Sequence, residues 1–495
     1  MNICVPFLDA HIAEGRGHRP AIQADDRAFT YSDVAGVSAR CAARLAADDV
    51  KPGERVFLAL PDGVELVGAL FGVLRRGAVA VMANPDLSAD LLRFLADDTG
   101  ATAMFVSADR VAECRTWVEG GARRRIYSSG DSAHQTSPAH AGRVEVFASG
   151  PDDDAIWQFS SGTTGRPKAV RHSHRAFTVA SEAYGAGVLG LTENDVTLAV
   201  PKLFFGYAAG ANLLFPFAVG ASCILFPGRS TADALFERIR RHRPTVLINT
   251  PAMIRQMVSH SEAVRQDLSC LRVTTSAGEA LPTRLQERWT ESFQTELLDG
   301  LGMTEMCHIF ISNRPGEVTR GAIGRVLPGY DVRLCDARGR DVSTGETGEL
   351  WVRGDSRASG YWQRPDEDAR VFRGEWCVAG DMLCRNGDGT FAYRGRVDDM
   401  LKVNGRWVAP RSVEDCLLAH PRVHDAAVVG VKDADGLVRP RAFVVAVDPG
   451  SNLAEELREF VRARLEPHAH PRDVVFLDAL PRTVQGKVDR RALQS

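Results

Sequence analysis

The chain has 495 residues, enough for roughly two to four structural units and too long for a lone binding module. Apolar residues make up 44% and charged residues 25%, a globular balance that supports a large buried core and excludes intrinsic disorder. Lys and Arg number 60 against 63 Asp and Glu, and the net charge of −3 supplies no long-range field for nucleic acid or an anionic membrane.

The first seven residues, Met1-Asn2-Ile3-Cys4-Val5-Pro6-Phe7, carry neither a basic segment nor a long apolar run, and no later apolar stretch reaches the ~20 residues of a membrane span. The expectation is a cytoplasmic protein with no membrane contact. Ten cysteines lie far apart, with no CxxC pair and no Cys/His cluster at zinc spacing, and are predicted to be reduced and core-filling. Over residues 1–150 helical-period segments alternate with β-branched runs: 31–47 predicts a helix and 55–60 a strand, an α/β layer with a parallel sheet. An acidic loop, Ser149-Gly150-Pro151-Asp152-Asp153-Asp154, follows. Strands at 245–249 and 271–275 and a helix at 232–241 then predict a second layer of the same kind. Residues 321–396 break into short strands between Gly and Asp turns, a β-rich subdomain. Beyond 396 strands at 426–431 and 442–447 and a helix at 455–465 predict a separate domain beginning at Asp398.

The most distinctive segment is Phe159-Ser160-Ser161-Gly162-Thr163-Thr164-Gly165-Arg166-Pro167-Lys168. Its glycines let the backbone approach a polyanion, its hydroxyls can donate to phosphate oxygens, and Lys168 adds positive charge. The spacing is not that of a Walker A loop, and composition alone fits a Ser/Gly surface loop equally well. A second segment, Asp299-Gly300-Leu301-Gly302-Met303-Thr304-Glu305, sets a hydroxyl beside a carboxylate after two glycines. It suits one phosphate contact and one Mg2+ contact if a nucleotide is present, and alone it also reads as a glycine turn before a helix cap at Thr304.

Taken together these segments resemble the acyl-adenylate-forming superfamily of acyl-CoA synthetases, peptide-synthetase adenylation domains and luciferases. The resemblance spans essentially the whole chain. It rests also on Gly348-Glu349-Leu350, Gly360-Tyr361-Trp362, Gly380-Asp381, the run from Tyr393 to Gly405, and Pro481-Arg482-Thr483-Val484-Gln485-Gly486-Lys487-Val488, in the family's order and spacing. Within the superfamily the chain is most similar to benzoate-CoA ligases, through Lys202-Leu203-Phe204-Phe205-Gly206-Tyr207, the run from Phe215 to Ala221, Met306 to Asn313, and Asp398 to Val408.

The resemblance implies a mixed α/β fold: a large N-terminal domain, 1–397, of two α/β subdomains and a β-rich one, and a small mobile α+β C-terminal domain, 398–495. It implies activation of a carboxylic acid by ATP and Mg2+ to an acyl-adenylate, then transfer to coenzyme A. Ser160, Ser161, Gly162, Thr163, Thr164, Gly165 and Lys168 would cradle phosphates. Asp299, Gly300 and Thr304 would belong to the nucleotide site, and Glu305 would hold the metal. Ala277, Gly278 and Glu279 would lie beside adenine, Asp381 and Arg396 at the ribose. Lys487 would bridge the carboxylate and the α-phosphate, where negative charge accumulates.

The acyl pocket would be lined by Gly206, Tyr207, Ala277, Gly302, His308 and Ile309, with His308 and Lys402 approaching the carboxylate; for His308 a satisfied core histidine is the competing reading. Small residues facing one aromatic wall suit a flat aromatic acid, benzoate or a small amino-, hydroxy- or halobenzoate. Gly206 stands where benzoate-CoA ligases usually have Ala, which predicts a slightly larger slot. Asp398 matches the hinge about which the C-terminal domain would rotate between half-reactions. A carrier protein's phosphopantetheine arm is the alternative thiol acceptor, and a monomer or homodimer is expected.

Overall fold

The helix Tyr31–Ala47 starts where the sequence predicts it because Thr30 caps it: the Thr30 hydroxyl accepts from the Asp33 N–H while the Asp33 carboxylate accepts from the Thr30 N–H. Its apolar face, Val34, Val37, Cys41 and Leu45, packs on the helix Val64–Arg75. Gly68 and Gly72 permit that approach, since a side chain at either would collide with Val37 or Cys41. The computed structural model describes residues 1–117, 124–128, 144–161, 166–403, 406–432, 437–447, 449–450, 452–481, 488–490 and 492–494, without the side chains of Ser161, Lys402, Arg406 and Trp407.

These helices cover a seven-stranded sheet in the order Gly360–Tyr361, Pro167–Ser173, Asp154–Ser161, Val79–Met82, Arg55–Ala59, Ala103–Val106, Arg125–Ser128. Its last five strands run parallel and the first two antiparallel. A nine-stranded sheet follows the order Arg325–Val326, Ile309–Ser312, Leu297–Gly302, Val273–Ser276, Val246–Asn249, Val196–Ala199, Ser222–Ile224, Pro20–Gln23, Ala28–Thr30. Six central strands are parallel.

The two layers predicted in sequence order are thus interleaved. The hairpin Pro20–Gln23 and Ala28–Thr30 crosses to the second sheet, while Asp154–Ser161 and Pro167–Ser173 complete the first. Buried parallel strands lack the apolar–polar alternation of a two-faced sheet, so the sequence names no neighbour for them. The β-rich region holds a five-stranded antiparallel sheet, built from Tyr330–Cys335, Thr347–Gly354, Phe372–Arg373, Trp376–Arg385 and Phe391–Arg396. Its short strand Gly360–Tyr361 pairs instead with Arg171 and Val170 at the edge of the first sheet.

Residues from Leu401 onward form a two-stranded ribbon and a three-stranded sheet, Val423–Lys432, Val438–Ala446 and Asp473–Phe476, flanked by the helices Pro410–Leu418 and Leu453–Arg462. Their apolar core, around Val413, Leu417, Val428, Val444 and Leu457, draws on no residue before 401. An Arg255–Asp425 ion pair at 2.8 Å ties this part to the nine-stranded sheet's helices. The ten cysteines are unbridged, and no helix among the described residues is long and apolar enough to cross a membrane.

Candidate active site

Several of the predicted residues lie at the carboxyl ends of parallel strands, where open α/β sheets bind ligands. Val273–Ser276 delivers Ala277 and Gly278, Leu297–Gly302 delivers Asp299 to Glu305, and Asp154–Ser161 delivers Ser160. The Ser160 hydroxyl donates to Glu305 Oε1 at 3.2 Å, joining the carboxyl end of a strand in one sheet to the turn that follows Leu297–Gly302 in the other. The same oxygen accepts from Tyr361 Oη at 2.6 Å. Glu305 is buried, so two hydroxyls fix its carboxylate beside the segment that leads into 162–165. Gly162, Thr163, Thr164, Gly165 and Lys487 lie outside the described residues, as do the side chains of Ser161 and Lys402.

Lys168 corrects an expectation. Its ammonium pairs with Glu367 at 2.8 Å and sits 3.8 Å from the centre of the Tyr361 ring. That charge is engaged by the helix Pro365–Val371 and by the ring that holds Glu305, so Lys168 buttresses the site rather than facing phosphate. Asp299 is also unlike an open nucleotide ligand: it is buried, and burial pushes its carboxyl well above the usual range, toward the neutral form. Asp381 and Arg396 meet as expected, Nη1 donating to Oδ1 at 3.2 Å, with Tyr393 Oη donating to the same oxygen at 3.1 Å. Gly278, at φ +88°, has open space where a Cβ would stand, which leaves a bare backbone face beside Ala277.

Between Glu305 and His308 the chain makes a tight γ-turn. Cys307 holds φ +67° and the His308 N–H donates to the Met306 carbonyl at 2.7 Å. This rare, strained turn sends Glu305 toward Ser160 and His308 toward Tyr207. Tyr207 joins two neighbouring segments: Oη pairs with Thr275 Oγ1 at 2.5 Å, and its carbonyl accepts from His308 Nε2 at 3.1 Å. Gly302 lies opposite Ile309, where a Cβ would stand 2.6 Å from the His308 carbonyl oxygen. Only glycine allows these two strands to approach that closely.

A carbonyl can only accept, so the proton of neutral His308 is on Nε2, already donated to Tyr207. No N–H remains for a substrate carboxylate, which corrects that role: the ring is packed against Tyr184 and Phe215 at 5.0 and 4.6 Å as a buried, hydrogen-bonded core histidine. Burial pulls its pKa from 6.5 down to about 4. The unfolded chain therefore binds this proton first, and the native state loses stability as pH falls from 6.5 to 4, by up to about 1.4 kcal/mol per pH unit. Relative to a His308→Phe variant, urea unfolding should show the wild type losing ground across that window; a pH-independent difference would refute the neutral assignment.

The predicted effect of Gly206 is also revised. A Cβ there would stand 2.7 Å from Gln158 Oε1 and 3.5 Å from the Cys307 carbonyl oxygen. A carboxamide occupies the space a methyl would take, so the slot is not merely enlarged. Gln158 and Tyr361 were not among the predicted site residues. An amide within the apolar run Ala155-Ile156-Trp157-Gln158-Phe159 was the available signal for the first, whereas Tyr361 reaches Glu305 only through tertiary pairing.

The family profile described as AMP-binding enzyme matches residues 9–362, and that of the AMP-binding enzyme C-terminal domain matches residues 412–487. A 4-hydroxybenzoate–CoA/benzoate–CoA ligase of Rhodopseudomonas palustris is 37% identical over 100% of this chain and 94% of its own length. The crystal structure of a benzoate CoA ligase from Burkholderia xenovorans LB400 superposes with a TM-score of 0.90 at 39% identity, covering 100% of both chains. That of the anthranilate CoA ligase AuaEII in complex with anthranoyl-AMP gives 0.91 at 33% identity, over 99% of this chain and 96% of that one.

Proposed function

The chain belongs to the AMP-binding enzyme family, and from that membership we propose that it is an AMP-forming acid–thiol ligase joining benzoate, or a small amino-, hydroxy- or halobenzoate, to coenzyme A. The observation that carries this reading is the joining of Tyr207 to His308 beside the Gly302/Ile309 strand pair, with Glu305, three residues before His308, held by Ser160. A flat ring fits between backbone and an aromatic wall, with its carboxylate toward the nucleotide.

In the first half-reaction a carboxylate oxygen attacks the α-phosphorus of ATP, the bond to pyrophosphate breaks, and the aroyl-adenylate stays bound. In the second the CoA sulfur attacks the acyl carbon, AMP departs as the acyl–oxygen bond breaks, and the thiol proton leaves to solvent. Asp381 accepts from the ribose hydroxyls with Arg396 beside it, while Ala277 and Gly278 give adenine a flat surface. Glu305 suits a Mg2+ site, because this ion takes one or two carboxylates and completes its shell with water and phosphate. When bound, the ion offsets the charge of the triphosphate. Lys487 draws the two anions together, and the C-terminal residues turn about Asp398, which lies in an exposed turn after Phe391–Arg396, to let the thiol approach.

The test is mass spectrometry of products after incubating the full chain with ATP, Mg2+, CoA and an equimolar set of benzoates. An aroyl-CoA is expected. Enzyme-bound aroyl-AMP and pyrophosphate without thioester would transfer the second step to a carrier protein, and turnover of aliphatic acids alone would reject the aromatic reading.

A further inference from the structure

We propose that Gln158 selects the substrate ring, favouring a hydrogen-bonding substituent, hydroxyl or amino, on the aromatic acid; this rests on the aryl-CoA ligase reading above. Gln158 is 1% exposed, on the same face of its strand as Ser160, and opposite Val170. Neither Oε1 nor Nε2 has a hydrogen-bond partner among the described residues. Its Oε1 lies 2.7 Å from where a Cβ on Gly206 would stand, so it takes the space of that methyl beside a residue the ligase reading places at the aryl acid. His308, whose neighbour Cys307 presents its carbonyl to the same glycine, adds an unpartnered acceptor at Nδ1.

A buried carboxamide left unpaired is destabilising, and apolar residues of equal size would fill this position without that cost. The arrangement becomes favourable once a ligand supplies what is missing. Oε1 and Nδ1 accept only, while Nε2 donates, and rotation of the amide by a half-turn exchanges its two ends. A ring hydroxyl donates to Oε1 and accepts from Nε2; a ring amine donates to Oε1. A hydrogen atom or a halogen at the same place leaves the carboxamide unpaired in the closed complex. Sites built to pair a polar substituent reject the analogue lacking it far more strongly than apolar pockets separate isosteres. Discrimination of roughly 10- to 100-fold in kcat/KM is expected.

The experiment measures kcat/KM of the full chain for benzoate, 4-chlorobenzoate and the isomeric hydroxy- and aminobenzoates, by pyrophosphate release and by thioester formation. At least one hydroxy or amino acid should exceed both benzoate and chlorobenzoate by that factor. Gln158→Met keeps the volume and removes the hydrogen bonds, so it should abolish the preference while benzoate turnover persists. Gly206→Ala should act in the same direction through a different residue, since its methyl would displace the carboxamide. A wild type that favours benzoate or chlorobenzoate over every hydroxy and amino acid overturns the proposal, as does an unchanged ratio in both variants. Those outcomes leave the ligase reading intact. Absence of both aroyl-AMP and aroyl-CoA from every acid would remove the ligase reading and the role of Gln158 with it.

Discussion

Glu305→Gln should lower the rate of adenylate formation by about 10²- to 10³-fold and leave the fold in place. Glu305 Oε1 accepts from Ser160 and Tyr361, and the amide oxygen of glutamine can accept from both. The variant therefore keeps the link between the two sheets, and its melting temperature should stay near that of the wild type. What disappears is a negative charge at the mouth of the phosphate segment. On the proposed role of Glu305 a carboxylate for Mg2+ goes with it, so the Mg2+ concentration needed for half-maximal rate should rise. Pyrophosphate exchange at varied Mg2+, alongside thermal unfolding, separates the two effects. Near wild-type exchange with an unshifted Mg2+ dependence would remove Glu305 from the metal role.

Lys487→Ala should produce a loss of similar size, confined to one half-reaction. The carboxylate and the triphosphate are both anions, and their approach raises negative charge at the α-phosphorus most steeply in the transition state. A cation placed there contributes more to that state than to bound substrates, which lowers kcat rather than KM when it is lost, by about 10² to 10³. Thiol attack on a finished adenylate needs no such bridge. Presented with synthetic aroyl-AMP and CoA, the variant should form thioester at close to the wild-type rate while its pyrophosphate exchange is largely gone. Equal loss in both assays would falsify the bridging role.

Much of the fold was legible because it follows local rules. The helix Tyr31–Ala47 agrees with its amphipathic spacing to the residue, since Thr30 and Asp33 set its start. Ala232–His242 and Val246–Asn249 fall within a residue of their predicted limits. The helix predicted at 455–465 lies at Leu453–Arg462, a shift of the ordinary size where no side-chain cap marks the first turn. Glu305, Asp381 and Arg396 are candidates because they fall in short, recognisable segments, Asp381 and Arg396 directly after a glycine. The role of His308 depends on which atom its one proton meets, and the Tyr207 carbonyl is 101 residues away in sequence.

The amino-acid sequence by itself determined the class of fold, the family, and which segments carry the chemistry, because periodicity, turn residues and motif spacing are properties of a few consecutive residues. It also supplied Gly206, a missing methyl in an aromatic slot. Tertiary structure alone decided that the hairpin at 20–30 belongs to the far sheet, that Lys168 pairs with Glu367 and Tyr361, that Tyr361 holds Glu305, and that Gln158 fills the place beside Gly206. Each of these joins residues distant in the chain. Strand neighbours in a buried parallel sheet are all apolar and interchangeable by composition, and a polar side chain's function is set by the one partner that folding brings within about 3 Å.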